Sequence, residues 1–146
     1  MPIVWGGYFP TLYPDAALAA PYVDVVVRGP GEATLAGLLA TLGGTGGAPS
    51  LASVAGISWK ESGRVVHNTE RPLGPPDALP PLPYELLGDV SRFLQPTYLG
   101  RRTAVHQAAI GCRHRCSFCG VVSMFDGRTL LPPAERVARD LLVLKE

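Results

Sequence analysis

The sequence contains no cysteine before position 112, no block of like charge and no long unbroken apolar run. Each absence removes a class of function. Thirteen Lys and Arg against twelve Asp and Glu leave a formal net charge of +1. A protein that grips nucleic acid through surface charge shows a basic patch or stripe, so no nucleic-acid partner is expected. The most apolar stretch, residues 16–27, is interrupted by Pro21 and Asp24, whereas a membrane helix needs about 18 or more apolar residues in succession. The N-terminus lacks the basic and apolar segments of a secretory leader, because Met1 and Pro2 lead directly into Ile3-Val4-Trp5. The expectation is a cytoplasmic chain without membrane contact. Its three cysteines all fall between positions 112 and 119. A secreted disulfide framework spreads paired cysteines along the chain; clustered thiols in a reducing compartment point to a metal.

What is present describes a globular α/β chain. Hydrophobic residues make up 47% and charged residues 17%, enough apolar material for a packed core and the opposite of a disordered composition. A length of 146 residues fits one ordinary domain or two incomplete ones. Residues 3–5 form a strand candidate closed by Gly6-Gly7, and residues 15–20 a short Ala-rich helix stopped by Pro21. The β-branched run 23–27 predicts a second strand. After Gly29-Pro30-Gly31, Leu35, Leu38, Leu39 and Leu42 carry helical spacing over residues 32–42. Strand, helix, strand, helix in this order argues for a parallel sheet with covering helices. Two strands make a poor sheet, so further strands are expected to precede Met1.

Residues 43–50 read as a flexible Gly/Ser/Pro loop. Residues 56–59 and 64–68 flank Glu61-Ser62-Gly63 as a hairpin. Six prolines in residues 71–83 predict an extended linker, since proline cannot donate to a ladder and biases its predecessor toward extended geometry. The resulting division is residues 1–69, a linker over 70–100, and a second domain from 101 to 146. In that second part a short helical turn is expected around 84–87 and a strand over 103–110. A helix is expected over 133–145, with Val137, Ala138, Leu141 and Leu142 as its apolar stripe.

Cys112-Arg113-His114-Arg115-Cys116-Ser117-Phe118-Cys119-Gly120 carries most of the chemistry. Three thiolates within eight residues converge on a soft metal centre. Three is one short of the four ligands that close a tetrahedral zinc site or saturate a cubane cluster, so one position stays open for a substrate or cofactor. Arg113 and Arg115 would favour deprotonated thiols. An inert zinc knuckle with His106 or His114 as fourth ligand remains an alternative on spacing alone.

The C-x3-C-x2-C spacing, with an aromatic before the last cysteine, resembles the cluster motif of the radical S-adenosylmethionine (SAM) superfamily. The resemblance implies that Cys112, Cys116 and Cys119 hold a 4Fe-4S cluster whose fourth iron takes SAM. Phe118 and Gly120 would then contact the SAM. It also implies that the motif follows the first strand of a partial (β/α) barrel, here residues 103–110, in keeping with chemistry at the C-terminal ends of barrel strands.

The N-terminal half, Val4-Trp5-Gly6-Gly7-Tyr8-Phe9-Pro10-Thr11 and then Val23-Asp24-Val25-Val26-Val27-Arg28-Gly29-Pro30-Gly31-Glu32, resembles the second half of the cobalamin-binding domain found in one class of these enzymes. The implied fold is the C-terminal half of a Rossmann-like (flavodoxin-like) parallel sheet, then a hairpin and Pro-rich linker, then the first unit of the barrel. Gly6, Gly7, Gly29, Gly31 and Glu32 are the implied cobalamin contacts; glycines at the C-terminal ends of parallel strands are where such sheets accept ligands. Two departures stand out. There is no Asp-x-His-x-x-Gly segment to supply a cobalt ligand, and His67 falls in the hairpin. The sequence also stops after one strand and one helix of the barrel, so a fragment lacking both ends, inactive in isolation, is expected.

The implied activity is reductive cleavage of SAM to a 5′-deoxyadenosyl radical, serving cobalamin-dependent methyl transfer or a related radical reaction. The implied partners are a small-molecule substrate and an external electron donor. A methylthiotransferase is a weaker match, since those enzymes carry three further cysteines in their N-terminal domain. A small zinc-binding interaction module is the non-enzymatic rival. Elsewhere, Glu135-Arg136 and Arg139-Asp140 read as a solvated helix face and Arg101-Arg102 as surface charge. Asp77, Glu85 and Asp89 have no spacing that pairs them. No Gly-x-Ser-x-Gly elbow supports Ser-His-Asp catalysis, and Gly43-Gly44-Thr45-Gly46-Gly47 lacks the Lys-Ser/Thr of a phosphate loop.

Overall fold

A computed structural model describes residues 1–44, 50–75 and 82–145. The middle of the expected 43–50 loop and residues 76–81 of the proline run, Asp77 among them, lie outside the described residues. The chain forms two compact units: Met1–Leu73 with Gly111–Thr129, and Gly74–Ile110 with Leu130–Glu146.

In the first unit, β1 (Val4–Gly6) is followed by α1 (Tyr8–Leu12), α2 (Pro14–Ala19), β2 (Val25–Val27) and α3 (Glu32–Leu42). Then come β3 (Ile57–Glu61) and β4 (Arg64–His67). The sheet order is β1-β2-β3-β4. β1 and β2 are parallel, with Gly6 opposite Val27, and β2 pairs antiparallel with β3. The expected strand–helix–strand–helix order is therefore present, and the hairpin extends the same sheet rather than standing apart. Its turn places both Ser62 and Gly63 at positive φ (48° and 79°), the pair of conformations that matches strand twist in a two-residue hairpin.

β2 is buried on both faces, which explains its unbroken valines. Val25 and Val27 pack with Leu38, Val54 and Ile57, while Val26 packs with Ala17, Leu18 and Val23. Alternation along the strand thus sends its side chains to α3 on one side and α2 on the other. α1 was not evident from composition because Pro10 interrupts it; proline is tolerated there, in the first turn, where its missing N–H has no partner to lose. Aromatic stacking supports it, with Trp5 and Phe9 ring centroids 5.4 Å apart and Phe9 and Tyr13 5.7 Å apart.

Asn68 closes the hairpin onto the core. Its Nδ2 donates to Leu51 O at 2.6 Å and Val54 O at 2.9 Å, its Oδ1 accepts from Trp59 Nε1 at 3.4 Å, and its carbonyl accepts from Arg28. Replacing Asn68 by Ala removes its side-chain hydrogen bonds to Leu51 O, Val54 O and Trp59 Nε1 and is expected to cost about 2–3 kcal/mol. A denaturant midpoint unchanged from wild type would refute that role.

In the second unit, β5 (Gln95–Thr97) and β6 (Gly100–Thr103) form an antiparallel pair. Short 3-10 turns occupy Tyr84–Leu87, at the expected turn, and Val90–Phe93, the latter capped by Asp89 accepting from Ser91 N at 3.0 Å. Hydrogen bonds from Ser91 hold the exposed Asp89 carboxyl below the usual range. The remaining elements are β7 (Ile110–Gly111), α4 (Val121–Phe125), β8 (Thr129–Leu130) and α5 (Ala134–Lys145), with β7 and β8 paired in a two-stranded sheet.

Two expectations are corrected here. The strand expected over residues 103–110 is reduced to its ends, Thr103 in β6 and Ile110 in β7, with 104–109 irregular. A strand needs a neighbour to satisfy its backbone groups, and among the described residues none lies beside 104–109. On α5, Asp140 is buried at 5% exposure, whereas Leu141, Leu142 and Val143 are 50%, 62% and 47% exposed. The helix face turned inward is Val137, Asp140 and Leu144, at i, i+3, i+7 spacing, so Asp140 does not belong to a solvated face and the expected stripe is largely outside. Burial first, and the Asp140 charge second, push the Tyr84 phenol above its ordinary range. Because the fold favours the neutral phenol, its contribution to stability is present below the unfolded tyrosine pKa and is lost as pH rises toward the folded value. Absorbance titration of Tyr84→Phe against wild type should show the missing phenol to be one of the last to ionise; removal of an early-ionising phenol would contradict this.

Candidate functional site

Two features of the first unit carry the chemistry. The first is the C-terminal edge of the β1–β2 pair. Because Gly6 and Val27 are in register, the turns after both strands emerge side by side. Gly7 and Gly29 have φ of +105° and +71°, and no atom lies within 4 Å of where a Cβ would stand on either. Both therefore present bare backbone to open space, at positions where other residues are strained. Gly31 caps the start of α3, and the exposed Glu32 lies in its first turn. Gly6, by contrast, faces Val27 at ordinary contact distance.

The second feature is the cysteine loop. It opens at Gly111, whose φ is +82° and where a Cβ would collide with the Arg128 carbonyl oxygen and lie 3.0 Å from Phe125 Cβ. Cys112 and Cys119 are half-buried and Cys116 exposed, and all three are free thiols. Cys119 N donates to Cys116 O at 3.1 Å, closing a tight turn between the second and third cysteine. Gly120 then starts α4. A Cβ on Gly120 would come 3.1 Å from Leu12 Cδ1, so α1 packs close against the exit of the loop. Phe118 is 90% exposed. Arg115 folds back so that its guanidinium lies over Gly127, about 3.6 Å from where a Cβ would be.

No three His, Cys, Asp or Glu side chains among the described residues converge closely enough to bind a single metal ion. In a cubane cluster each cysteine binds a different iron, so its ligands stand apart rather than meeting at one point. Three free, accessible thiols on one short loop fit that demand. Bare backbone at Gly7 and Gly29 likewise fits a bulky ligand approaching the sheet edge.

A cleft of about 830 Å3 lies beside the Gly29 turn and α4 within the first unit, lined among others by Thr11, Arg28, Gly29, Arg71, Met124 and Arg128. Arg28 is tied to the Ile57 and Asn68 carbonyls, leaving its buried Nε without a partner; Arg71 Nε donates to Thr34 Oγ1 at 2.8 Å. Thr11 and Arg28 fall within the stretches that carry the sequence resemblance but have no role assigned there, and Met124 is not singled out by the sequence.

Ser58, His67 and Asp15 do come into line. Ser58 Oγ is 2.8 Å from His67 Nδ1, and His67 Nε2 is 3.2 Å from Asp15 Oδ1. Ser58 has no exposed surface, so no substrate carbonyl can reach its hydroxyl, and the trio joins the hairpin to α2. His67 is thereby committed to structure. Arg101 and Arg102 are exposed, as expected of surface charge.

A parallel α/β edge with two bare glycine turns and a loop of three free thiols are packed in one unit. No family model matches the sequence. The chain is 33% identical over 119 residues to the anaerobic magnesium-protoporphyrin IX monomethyl ester cyclase of Synechocystis, a match covering 81% of this chain and 23% of that protein. It is 31% identical over 144 residues to an uncharacterized methyltransferase of Pyrococcus horikoshii, covering 97% of this chain and 30% of that one. The cobalamin-dependent SAM radical enzyme OxsB, solved with aqua-cobalamin and SAM, superposes with a TM-score of 0.70 at 24% identity, over 97% of this chain and 18% of OxsB. The radical SAM methyltransferase TsrM from Kitasatospora setae, with cobalamin and a 4Fe-4S cluster, gives a TM-score of 0.64 at 18% identity, over 98% of this chain and 28% of TsrM. The chain thus shares its fold, over nearly its whole length, with cobalamin-dependent radical SAM enzymes. It spans less than a third of the length of each of these relatives. No helix among the described residues is long and apolar enough to cross a membrane.

Proposed function

We propose that this chain supplies the cluster loop and part of the cobalamin site of a radical SAM enzyme. Cys112, Cys116 and Cys119 hold a 4Fe-4S cluster, and the glycine-lined edge at Gly6, Gly7, Gly29, Gly31 and Glu32 receives cobalamin. A cluster held by Cys112, Cys116 and Cys119 would supply one-electron reduction, with the electron from an external donor, for reductive cleavage of SAM to methionine and a 5′-deoxyadenosyl radical. The chain's own residues hold and expose the centre. Gly111 and Gly120 set the entry and exit of the loop, and Phe118 stands free to cover an adenine. The reaction served is methyl transfer or a related radical step on a small molecule, in the cytoplasm, where thiols stay reduced.

The observation that carries this reading is the packing of α1, which leaves the Gly6-Gly7 turn, directly against the exit of the cysteine loop at Gly120. That contact holds the glycine edge and the cysteine loop in one unit, which supports their serving one reaction. The test is electron paramagnetic resonance of the reconstituted, reduced chain with and without SAM. The expected result is a cluster signal that SAM alters, because one iron is open; a signal that SAM leaves unchanged would count against an open site.

A further inference from the structure

We propose that Thr11 is a positioning residue that fixes the separation of the two glycine turns and so sets the affinity of the sheet edge for cobalamin; this rests on the cobalamin reading above. Thr11 lies in α1, one turn after Gly7. Its Oγ1 donates to Gly7 O at 2.7 Å and accepts from Gly29 N at 3.0 Å. One hydroxyl therefore spans the turn after β1 and the turn after β2, using its single proton on one and a lone pair on the other.

Both Gly7 and Gly29 have positive φ and empty space where a side chain would be. Backbone that no side chain covers is held in place only by its hydrogen bonds. Without Thr11 Oγ1, the Gly29 amide loses its partner and the Gly29 turn is free to change its distance from Gly7. A ligand that must lie across both turns would then have to order them on binding.

Thr11 also looks toward the other centre. Met124 Sδ lies 4.0 Å from Thr11 Oγ1, and Met124 is buried on α4, the helix that follows Cys119 and Gly120. Gly7 O, at 2.7 Å, takes the hydroxyl proton, so the sulfur is a packing contact. Removing the hydroxyl should therefore act on the glycine turns and leave the cysteine loop intact.

The experiment titrates aqua-cobalamin into the full 146-residue chain, followed by visible absorbance, for wild type, Thr11→Ser and Thr11→Val. Amide exchange at Gly29 and cluster iron content are read on the same samples. Thr11→Val keeps the shape of the side chain and should weaken cobalamin binding about tenfold, the size of a lost hydrogen bond at an ordered turn. It should also speed Gly29 exchange with iron content unchanged, and Thr11→Ser should restore both. Equal affinity in wild type and Thr11→Val overturns the inference while leaving the cobalamin reading standing. A parallel loss of cobalamin and iron in Thr11→Val, unrescued by Ser, also overturns it, because that marks general unfolding. A wild-type chain that takes up no cobalamin overturns the cofactor reading and the inference with it.

Discussion

Replacing any one of Cys112, Cys116 or Cys119 by Ala is expected to abolish stable cluster assembly, while His106→Ala and His114→Ala retain it. The reasoning is one of ligand count. Three protein thiolates are the minimum that leaves a four-iron cluster with a single open corner; two leave two irons without protein ligands. The three thiols stand on one loop, none in a disulfide, so no neighbouring cysteine can substitute, and the sequence has no other. The histidine variants separate this account from the zinc module, in which one of them would be the fourth ligand. Iron and sulfide assay of the anaerobically reconstituted variants reads the result. A Cys116→Ala chain that keeps full iron, or a histidine variant that loses all metal, would contradict the assignment.

Gly111→Ala should be the most disruptive glycine substitution in the first unit. Its φ of +82° is shared with Gly63, at +79°, but the surroundings differ. Gly63 has nothing within 4 Å of a new Cβ, so Gly63→Ala meets only the conformational strain, about 1 kcal/mol. At Gly111 the new Cβ would enter the Arg128 carbonyl oxygen and crowd Phe125. Both are fixed, the one by backbone and the other by its place in α4, so the chain entering Cys112 has to move. A loss of about 3 kcal/mol is expected, strain and overpacking together, with cluster uptake falling alongside. Chemical denaturation of both variants checks it, and equal midpoints for the two would show that the Gly111 backbone relaxes freely.

The parts of the fold legible in the sequence are those where local chemistry and burial agree. Val25-Val26-Val27 is β-branched and covered on both faces, and Leu38 lies on the inner side of a helix with regular leucine spacing, so both could be read directly. Ser62-Gly63 marked its turn by residue type. The misreadings arose where tertiary contacts decide. Residues 104–109 hold only one β-branched residue, Val105, and no strand lies beside them among the described residues. Asp140 is a charged residue held inside, and no periodicity of apolar residues announces that. Pro10 hides α1 because its position within the first turn, which makes it harmless, is visible only once the helix start is known.

The site divides in the same way. Cys112, Cys116 and Cys119 are conspicuous because their spacing is itself the chemistry, and the glycines are conspicuous because the turn demands them. Thr11 is not, since a threonine in a short turn becomes significant only when Gly29, 18 residues on, is brought beside it by the register of β1 and β2.

The central claim is that three thiolates hold an open four-iron cluster, and metal content tests it most directly. Iron, acid-labile sulfide and zinc should be measured per chain after anaerobic production and reconstitution. The account predicts about four irons and four sulfides with negligible zinc. One tightly held zinc without sulfide would contradict it and leave a structural metal module in its place.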